Sequence, residues 1–199
     1  MDSDWIEMLF LTCRTYYHIV ILFILNVLGM KICQRRSNRV RDLKELPLED
    51  NLHFLSERQS QIMKKMNDWL PCISFLIIFT FCNQFCIDLI RNGLVFGIYK
   101  FIIASSTRLP PATRFGNERE VLFVPIATWI DYGISGHTGW CVLMWLHSLY
   151  FSSPVSYILL FVAIFTSFSM TMSKDHYTLD VLVAWPVAYA IHTLFQNNI

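Results

Sequence analysis

Two short motifs near the end of the chain carry the residue types that phosphoryl transfer needs. One is Ser-Gly-His-Thr at 135–138, and the other is His-Tyr-Thr-Leu-Asp at 176–180; both stand at the edges of strongly apolar segments. Four residues apart at the start of a helix, His176 and Asp180 share a face, so the carboxylate can accept from one imidazole nitrogen while the other acts as nucleophile. The motifs predict transfer through a phosphohistidine at one membrane face.

A purely structural role for each motif is the competing interpretation. A His-x3-Asp pair by itself also fits a helix cap that orients a loop, and a Ser-Gly-His run also fits a tight turn that ends in histidine. The combination favours chemistry, because the bilayer makes an ionisable group at membrane depth costly. We therefore interpret His137, His176 and Asp180 as candidate catalytic residues.

The candidate phosphate-binding residues are Lys100, Arg108, Ser135 and Gly136. A helix that begins at the Ser-Gly pair would direct its first amide groups at an anion. Lys100 and Arg108 are eight residues apart, close to two helical turns, so both could face one phosphate. The alternative for each cation is that it extends to the lipid headgroups.

The composition predicts a membrane protein. The 199 residues are 54% hydrophobic and only 16% charged, far more apolar than an average soluble domain. A span needs about 20 mainly apolar residues. The sequence offers five such segments and a weaker sixth, at about 9–33, 69–90, 134–151, 155–172, 178–195 and 92–107. The predicted fold is an all-α polytopic membrane bundle of about six helices, with no segment that favours a strand.

Charge divides the chain into two predicted parts. Nine of the sixteen Lys and Arg residues fall between Lys31 and Lys65, where leucines recur, so residues 34–67 fit either an amphipathic segment on a cytoplasmic surface or a solvated loop. Residues 1–68 are thus predicted as an N-terminal span plus this basic segment, and residues 69–199 as the catalytic membrane core. The Arg-Asn-Gly run at 91–93 is interpreted as a turn or helix break.

These residues resemble a known family. Residues 131–138 (DYGISGHT) and 175–181 (DHYTLDV) are similar to the two signature motifs of sphingomyelin synthases, relatives of the type 2 phosphatidate phosphatases. Residues 98–100 and 107–110 resemble the basic segment that precedes these two motifs in the same family. The resemblance covers about residues 88–195. It implies supporting roles for Asp131 and Tyr177 beside the residues named above.

The departures from the motifs concern which branch of the superfamily the chain resembles. The phosphatases keep an arginine six residues before the histidine that corresponds to His176, where this chain has Met170. They also keep a proline before Ser-Gly-His, where this chain has Ile134. Those positions, with the Tyr-Thr after His176, favour the transferase branch. Arg108 favours the phosphatases, because it is similar to the arginine before proline in their first motif.

The resemblance implies a headgroup transferase that moves a phosphocholine-type or phosphoethanolamine-type group from a glycerophospholipid to ceramide or diacylglycerol. The alternatives are a lipid phosphate phosphatase, a phospholipase C-type hydrolase and an inactive lipid-binding scaffold. No metal, cofactor or nucleic-acid partner is expected, a homo-oligomer is left open, and the expected location is the Golgi, the endoplasmic reticulum or the plasma membrane. The headgroup, the acceptor and the membrane side of the site are not assigned.

Overall fold

Six helices make up most of the part of the chain that the structure, a computed structural model, describes. The described residues are 17–29, 31–32, 50–81, 86–106, 119–121, 124–127, 133–150 and 153–196. The helices are α1 (Tyr17–Gly29), α2 (Glu57–Phe81), α3 (Cys86–Ser106), α4 (Gly136–Ser148), α5 (Ser153–Met172) and α6 (Thr178–Gln196). The helical class predicted from the sequence is confirmed for this bundle.

Helix α4 is the centre of the bundle. It contacts α2, α3, α5 and α6, and ten of its thirteen residues are buried. The packing is close because small residues face large ones. A methyl group at Gly139 would come within 1.9 Å of the Phe96 ring on α3, and one at Gly93 within 2.0 Å of the Trp140 ring on α4. These glycines let α3 and α4 approach each other, and α4 can then present its N-terminus at a fixed place.

The outer faces of α5 and α6 are largely apolar. On α5 the most exposed side chains include Tyr157, Phe161 and Phe168, and on α6 they include Leu179 and Leu182. Polar groups such as Thr166 and Ser169 are instead buried inside the bundle. An apolar exterior around a partly polar interior is the distribution that a lipid environment favours.

Two of the described helices are long and apolar enough to cross a membrane, namely Pro154–Met172 within α5 and Thr178–Phe195 within α6. They match the predicted spans 155–172 and 178–195. Helix α4 has thirteen residues and rises about 20 Å, less than the hydrocarbon core of about 30 Å. The predicted total of six spans therefore stays a prediction.

Three local predictions are wrong. The predicted span 69–90 is instead the end of α2, which begins at Glu57, and the start of α3, which begins at Cys86. Residues 91–93 continue α3 without a break, because Arg91 pairs with Asp88 at 2.9 Å one turn away and Gly93 receives the Trp140 ring. A short antiparallel ladder joins β1 (Arg119–Val121) to β2 (Val124–Ala127) where no strand was expected, since β-branched residues there suit a hairpin.

Candidate active site

His176 and Asp180 form a buried pair where the α5–α6 turn enters α6. The side chains are 5% and 1% exposed, and the His176 Nδ1 lies 3.2 Å from the Asp180 Oδ2. The same oxygen accepts a hydrogen bond from the Tyr177 backbone N–H at 3.2 Å. Because an ionised carboxylate only accepts, Nδ1 carries the proton and the His176 lone pair lies on Nε2. This arrangement leaves Nε2 as the nitrogen that could act as a nucleophile, and that role stays a prediction.

The α5–α6 turn is compact and strongly restrained. Lys174 has a φ of 58°, which reverses the chain after α5. The backbone N–H groups of Asp175 and His176 both donate to the Met170 carbonyl, at 3.0 and 3.2 Å. These bonds fix the position of His176 relative to α5.

The N-terminus of α4 lies beside this turn. The Ser135 backbone N–H donates to the Asp180 carbonyl at 3.0 Å, so the first turn of α6 and the start of α4 are directly linked. Ser135 is the N-cap of α4: its hydroxyl accepts from the Thr138 N–H at 3.3 Å and donates to the Thr138 hydroxyl at 3.0 Å. These bonds satisfy the buried Ser135 hydroxyl. A contact between Ser135 and phosphate stays a prediction.

Lys100 reaches the same helix terminus from α3. A methyl group built on Gly136 would lie 2.6 Å from the Lys100 Nζ, so glycine leaves room for the ammonium group over the helix start. The positive end of the α4 dipole and this cation would both attract a phosphate placed there. Two other predicted site residues, Arg108 and Asp131, lie outside the described residues.

His137 contacts a carboxylate that the sequence interpretation did not single out. Its Nε2 lies 3.3 Å from the Asp68 Oδ1 on α2, with the two side chains 12% and 16% exposed. Asp68 was missed because no local spacing relates it to His137. The available signal was an acidic residue next to an apolar segment, which is costly unless it has a partner.

The residues around Asp68 also hold the turn that carries His176. Asn67 is fully buried, and its amide donates to the Ser173 hydroxyl and to the Asp175 carboxylate, both at 3.3 Å. Lys64 lies 3.5 Å from the other Asp175 oxygen, and the Ser60 hydroxyl donates to the Ser173 carbonyl. One face of α2 thus contacts both histidine-bearing segments, across the predicted division at residue 68.

The segment before α2 covers the start of α6. Asp50 accepts from the Thr178 backbone N–H at 2.7 Å and from its hydroxyl at 2.8 Å, which caps the first turn. The ring of His53 stacks on the predicted supporting residue Tyr177, with centroids 5.5 Å apart, and its Nε2 donates to the His176 carbonyl at 3.0 Å. Sequence interpretation gave neither Asp50 nor His53 a role, because their partners are more than 120 residues away.

The pKa of the Asp50 carboxyl reflects these contacts. Burial by itself would raise the pKa, but the hydrogen bonds from the Thr178 and Leu52 amides and the Thr178 hydroxyl, with the nearby charge of His53, outweigh it and hold the pKa below its usual value of 3.8. Asp50 is therefore a charged cap at neutral pH.

Two further histidines lie apart from this group. His147 lies eleven residues after Gly136, the first residue of α4, and therefore about 16 Å further along the helix. Its ring centroid is 5.2 Å from that of His192. The Tyr150 hydroxyl lies 3.3 Å from the His192 Nε2. Both rings are packed at the other end of the bundle.

Comparison with known families gives one match. Residues 130–197 match the family model described as PAP2 superfamily C-terminal. No curated protein and no solved structure matches the chain. The matched segment contains α4, α5 and α6 with His137, His176 and Asp180. This third of the chain is therefore similar to the C-terminal part of the type 2 phosphatidate phosphatase superfamily, which supports a membrane enzyme of lipid phosphatase or phosphotransferase type.

Proposed function

We propose that this protein transfers a phosphorylated headgroup, of the phosphocholine or phosphoethanolamine type, from a glycerophospholipid to ceramide or diacylglycerol through a phosphohistidine. The observation that supports it most is the buried His176–Asp180 pair, 3.2 Å apart, hydrogen-bonded through the Asp180 carbonyl to the start of α4. A nucleophile oriented by a carboxylate beside a helix N-terminus is the arrangement that covalent phosphoryl transfer uses.

In the first step the His176 Nε2 attacks the phosphorus of the donor lipid. A P–N bond forms as the bond from phosphorus to the diacylglycerol oxygen breaks, and His137 gives that oxygen its proton. Asp180 stabilises the positive charge that develops on His176. Lys100 and the amide groups at the start of α4 offset the negative charge on the phosphoryl oxygens.

In the second step His137, now neutral, accepts the proton of the acceptor hydroxyl. The acceptor oxygen attacks phosphorus, the P–N bond breaks, and His176 is regenerated. The acceptor determines the product, because a lipid hydroxyl gives transfer whereas water gives hydrolysis. The burial of His176 and Asp180, whose side chains are 5% and 1% exposed, favours the lipid acceptor because it limits the entry of water.

A lipid phosphatase or phospholipase C-type hydrolase is the second candidate. The PAP2 superfamily C-terminal match fits it equally well, because that superfamily includes phosphatases. The same residues would then act with water as the acceptor, releasing inorganic phosphate from phosphatidate or a phosphorylated headgroup from a phospholipid. An inactive lipid-binding scaffold would bind these lipids without turnover.

One assay separates these candidates. Purified protein in liposomes is given headgroup-labelled phosphatidylcholine or phosphatidylethanolamine, with and without ceramide or diacylglycerol, and labelled phosphatidate in parallel. Acceptor-dependent label in a lipid product, lost in His176→Ala, is the result that we expect. Water-soluble label without an acceptor would favour hydrolysis, and binding without either product would contradict an enzymatic function.

A further inference from the structure

We infer that Asp68 is the positioning residue that keeps His137 protonated for its role as an acid. The role of His137 as an acid rests on the proposed function, whereas the contact between Asp68 and His137 is independent of it. Asp68 lies on α2, outside the matched segment 130–197, and its Oδ1 is 3.3 Å from the His137 Nε2. The site would then hold two carboxylate–histidine pairs, one for each catalytic ring.

The two pairs use opposite ring nitrogens. Asp180 contacts Nδ1 of His176, which directs Nε2 at the phosphorus, whereas Asp68 contacts Nε2 of His137. In the imidazolium form both nitrogens of His137 carry protons. The Asp68 Oδ1 lies at ion-pair distance from Nε2 and stabilises the positive charge of the ring, while Nδ1–H is the group that delivers a proton to the leaving oxygen. After delivery, the paired ring is a stronger base toward the incoming hydroxyl.

The geometry that holds Asp68 supports this role. The next residue along α2, Asn67, is fully buried and tied to Ser173 and Asp175, so the rotation of α2 about its axis is fixed at this turn. With Asn67 held against the α5–α6 turn, the following side chain is placed at the start of α4. The same restraint therefore sets both histidines relative to one helix.

Charged groups reach the surroundings of His137 from three helices. Asp68 comes from α2, Lys100 from α3 over Gly136, and the His176–Asp180 pair from α6. Lys100 brings a second charge to the same helix start, and a bound phosphate would offset that charge. Asp68 is the carboxylate in direct contact, so its removal has the larger expected effect on the protonation of His137.

The first test is the pH dependence of kcat/KM for headgroup transfer or phosphate release. In Asp68→Asn we expect the basic limb to move to lower pH by about one unit, with a loss of about 10-fold to 100-fold at the wild-type optimum. Asp68→Glu keeps a carboxylate, so its basic limb should lie close to the wild-type position. Asp88→Asn, an acidic residue of α3 that pairs with Arg91 at 2.9 Å, is the matched control and should leave the limb in place. An unmoved limb in folded Asp68→Asn would overturn the inference.

A second readout needs no turnover. Diethylpyrocarbonate modifies neutral imidazole, so the pH midpoint of His137 modification, followed by peptide mass spectrometry, reports its protonation directly. The midpoint should fall in Asp68→Asn and stay in Asp88→Asn. A wild-type protein inactive on every lipid, with a lowered midpoint in Asp68→Asn, would reject the proposed function and keep the contact. Equal midpoints would reject the role of Asp68 whatever the activity.

Discussion

Asp50 stabilises a helix to which it is not close in sequence. Its carboxylate accepts two hydrogen bonds from Thr178, the first residue of α6, and the same turn carries Asp180. The amide groups of a first helical turn have no partner within the helix, so an acceptor supplied from elsewhere stabilises it. Asp50 thus connects the segment before α2 to the helical turn that carries Asp180.

We expect Asp50→Ala to lower the free energy of unfolding by about 1 kcal/mol, the usual effect of losing a helix cap. Asp50→Asn keeps an acceptor oxygen and should lose less. Thermal unfolding in detergent, followed by intrinsic fluorescence, measures both. Equal unfolding temperatures for Asp50→Ala and the wild type would show that the cap does not stabilise α6.

The charge of Asp50 gives this difference a pH dependence. Because the fold holds the pKa of Asp50 below 3.8, its charged form stabilises the native state at pH values above 3.8, and that contribution is lost as the pH falls through the lower folded pKa. The gap between wild type and Asp50→Asn should therefore be largest near neutral pH and shrink below pH 3.8. A gap that grows on acidification would contradict this assignment.

Local spacing allowed part of the site to be predicted, and only that part. His176 and Asp180 are one helical turn apart, so their pairing followed from the sequence. A helix start at the Ser-Gly pair was also predicted, but the capping role of Ser135 was not. Asp68, whose contact depends on how α2 packs against α4, could not be predicted. Asp50 was missed for the same reason, since it meets Thr178 across 128 residues.

Helices α3 and α4 pack at a distance that glycine permits. Gly139 faces the Phe96 ring, and an added methyl group would lie 1.9 Å from its tip. Apolar spacing predicted the approximate extents of α5 and α6 because these helices are continuous apolar runs. It divided residues 69–107 incorrectly, because the polar residues 91–93 are accommodated inside α3 by contacts with other helices.

We expect Gly139→Ala to lower the unfolding free energy by about 1–3 kcal/mol, since overpacking forces α3 and α4 apart. The combination Gly139→Ala with Phe96→Ala should cost less than the sum of the two changes, because the smaller side chain makes room for the methyl group. Ile158→Ala, at an exposed apolar position of α5, is the control. Additive effects of the two changes would show that Gly139 and Phe96 do not compete for space.

The bundle as a whole has two distinct ends. One end carries the start of α4, the start of α6 and the segment from Asp50 to His53; the other carries Tyr150, His147 and His192. If the bundle crosses the membrane, these ends face opposite compartments. The C-terminal part of the basic region, including Lys64, lies at the site end.

Cysteine labelling tests this arrangement. In a background that lacks the native cysteines, Leu52→Cys and Leu149→Cys should react with an impermeant maleimide from opposite sides of sealed vesicles, because the first lies near Asp50 and the second at the far end of α4. Permeabilised vesicles are the control for reactivity. Labelling of both positions from one side of intact vesicles would contradict a membrane-crossing bundle of this orientation.

The central claim is that His176 becomes covalently phosphorylated, and trapping that species tests it most directly. Protein is incubated with headgroup-labelled phospholipid in the absence of acceptor, quenched at alkaline pH and digested, and the peptides are identified by mass spectrometry. We predict label on the peptide that contains His176, discharged by an added lipid acceptor or by water and absent from His176→Ala. Turnover that persists in folded His176→Ala, or label carried by another residue, would contradict the account.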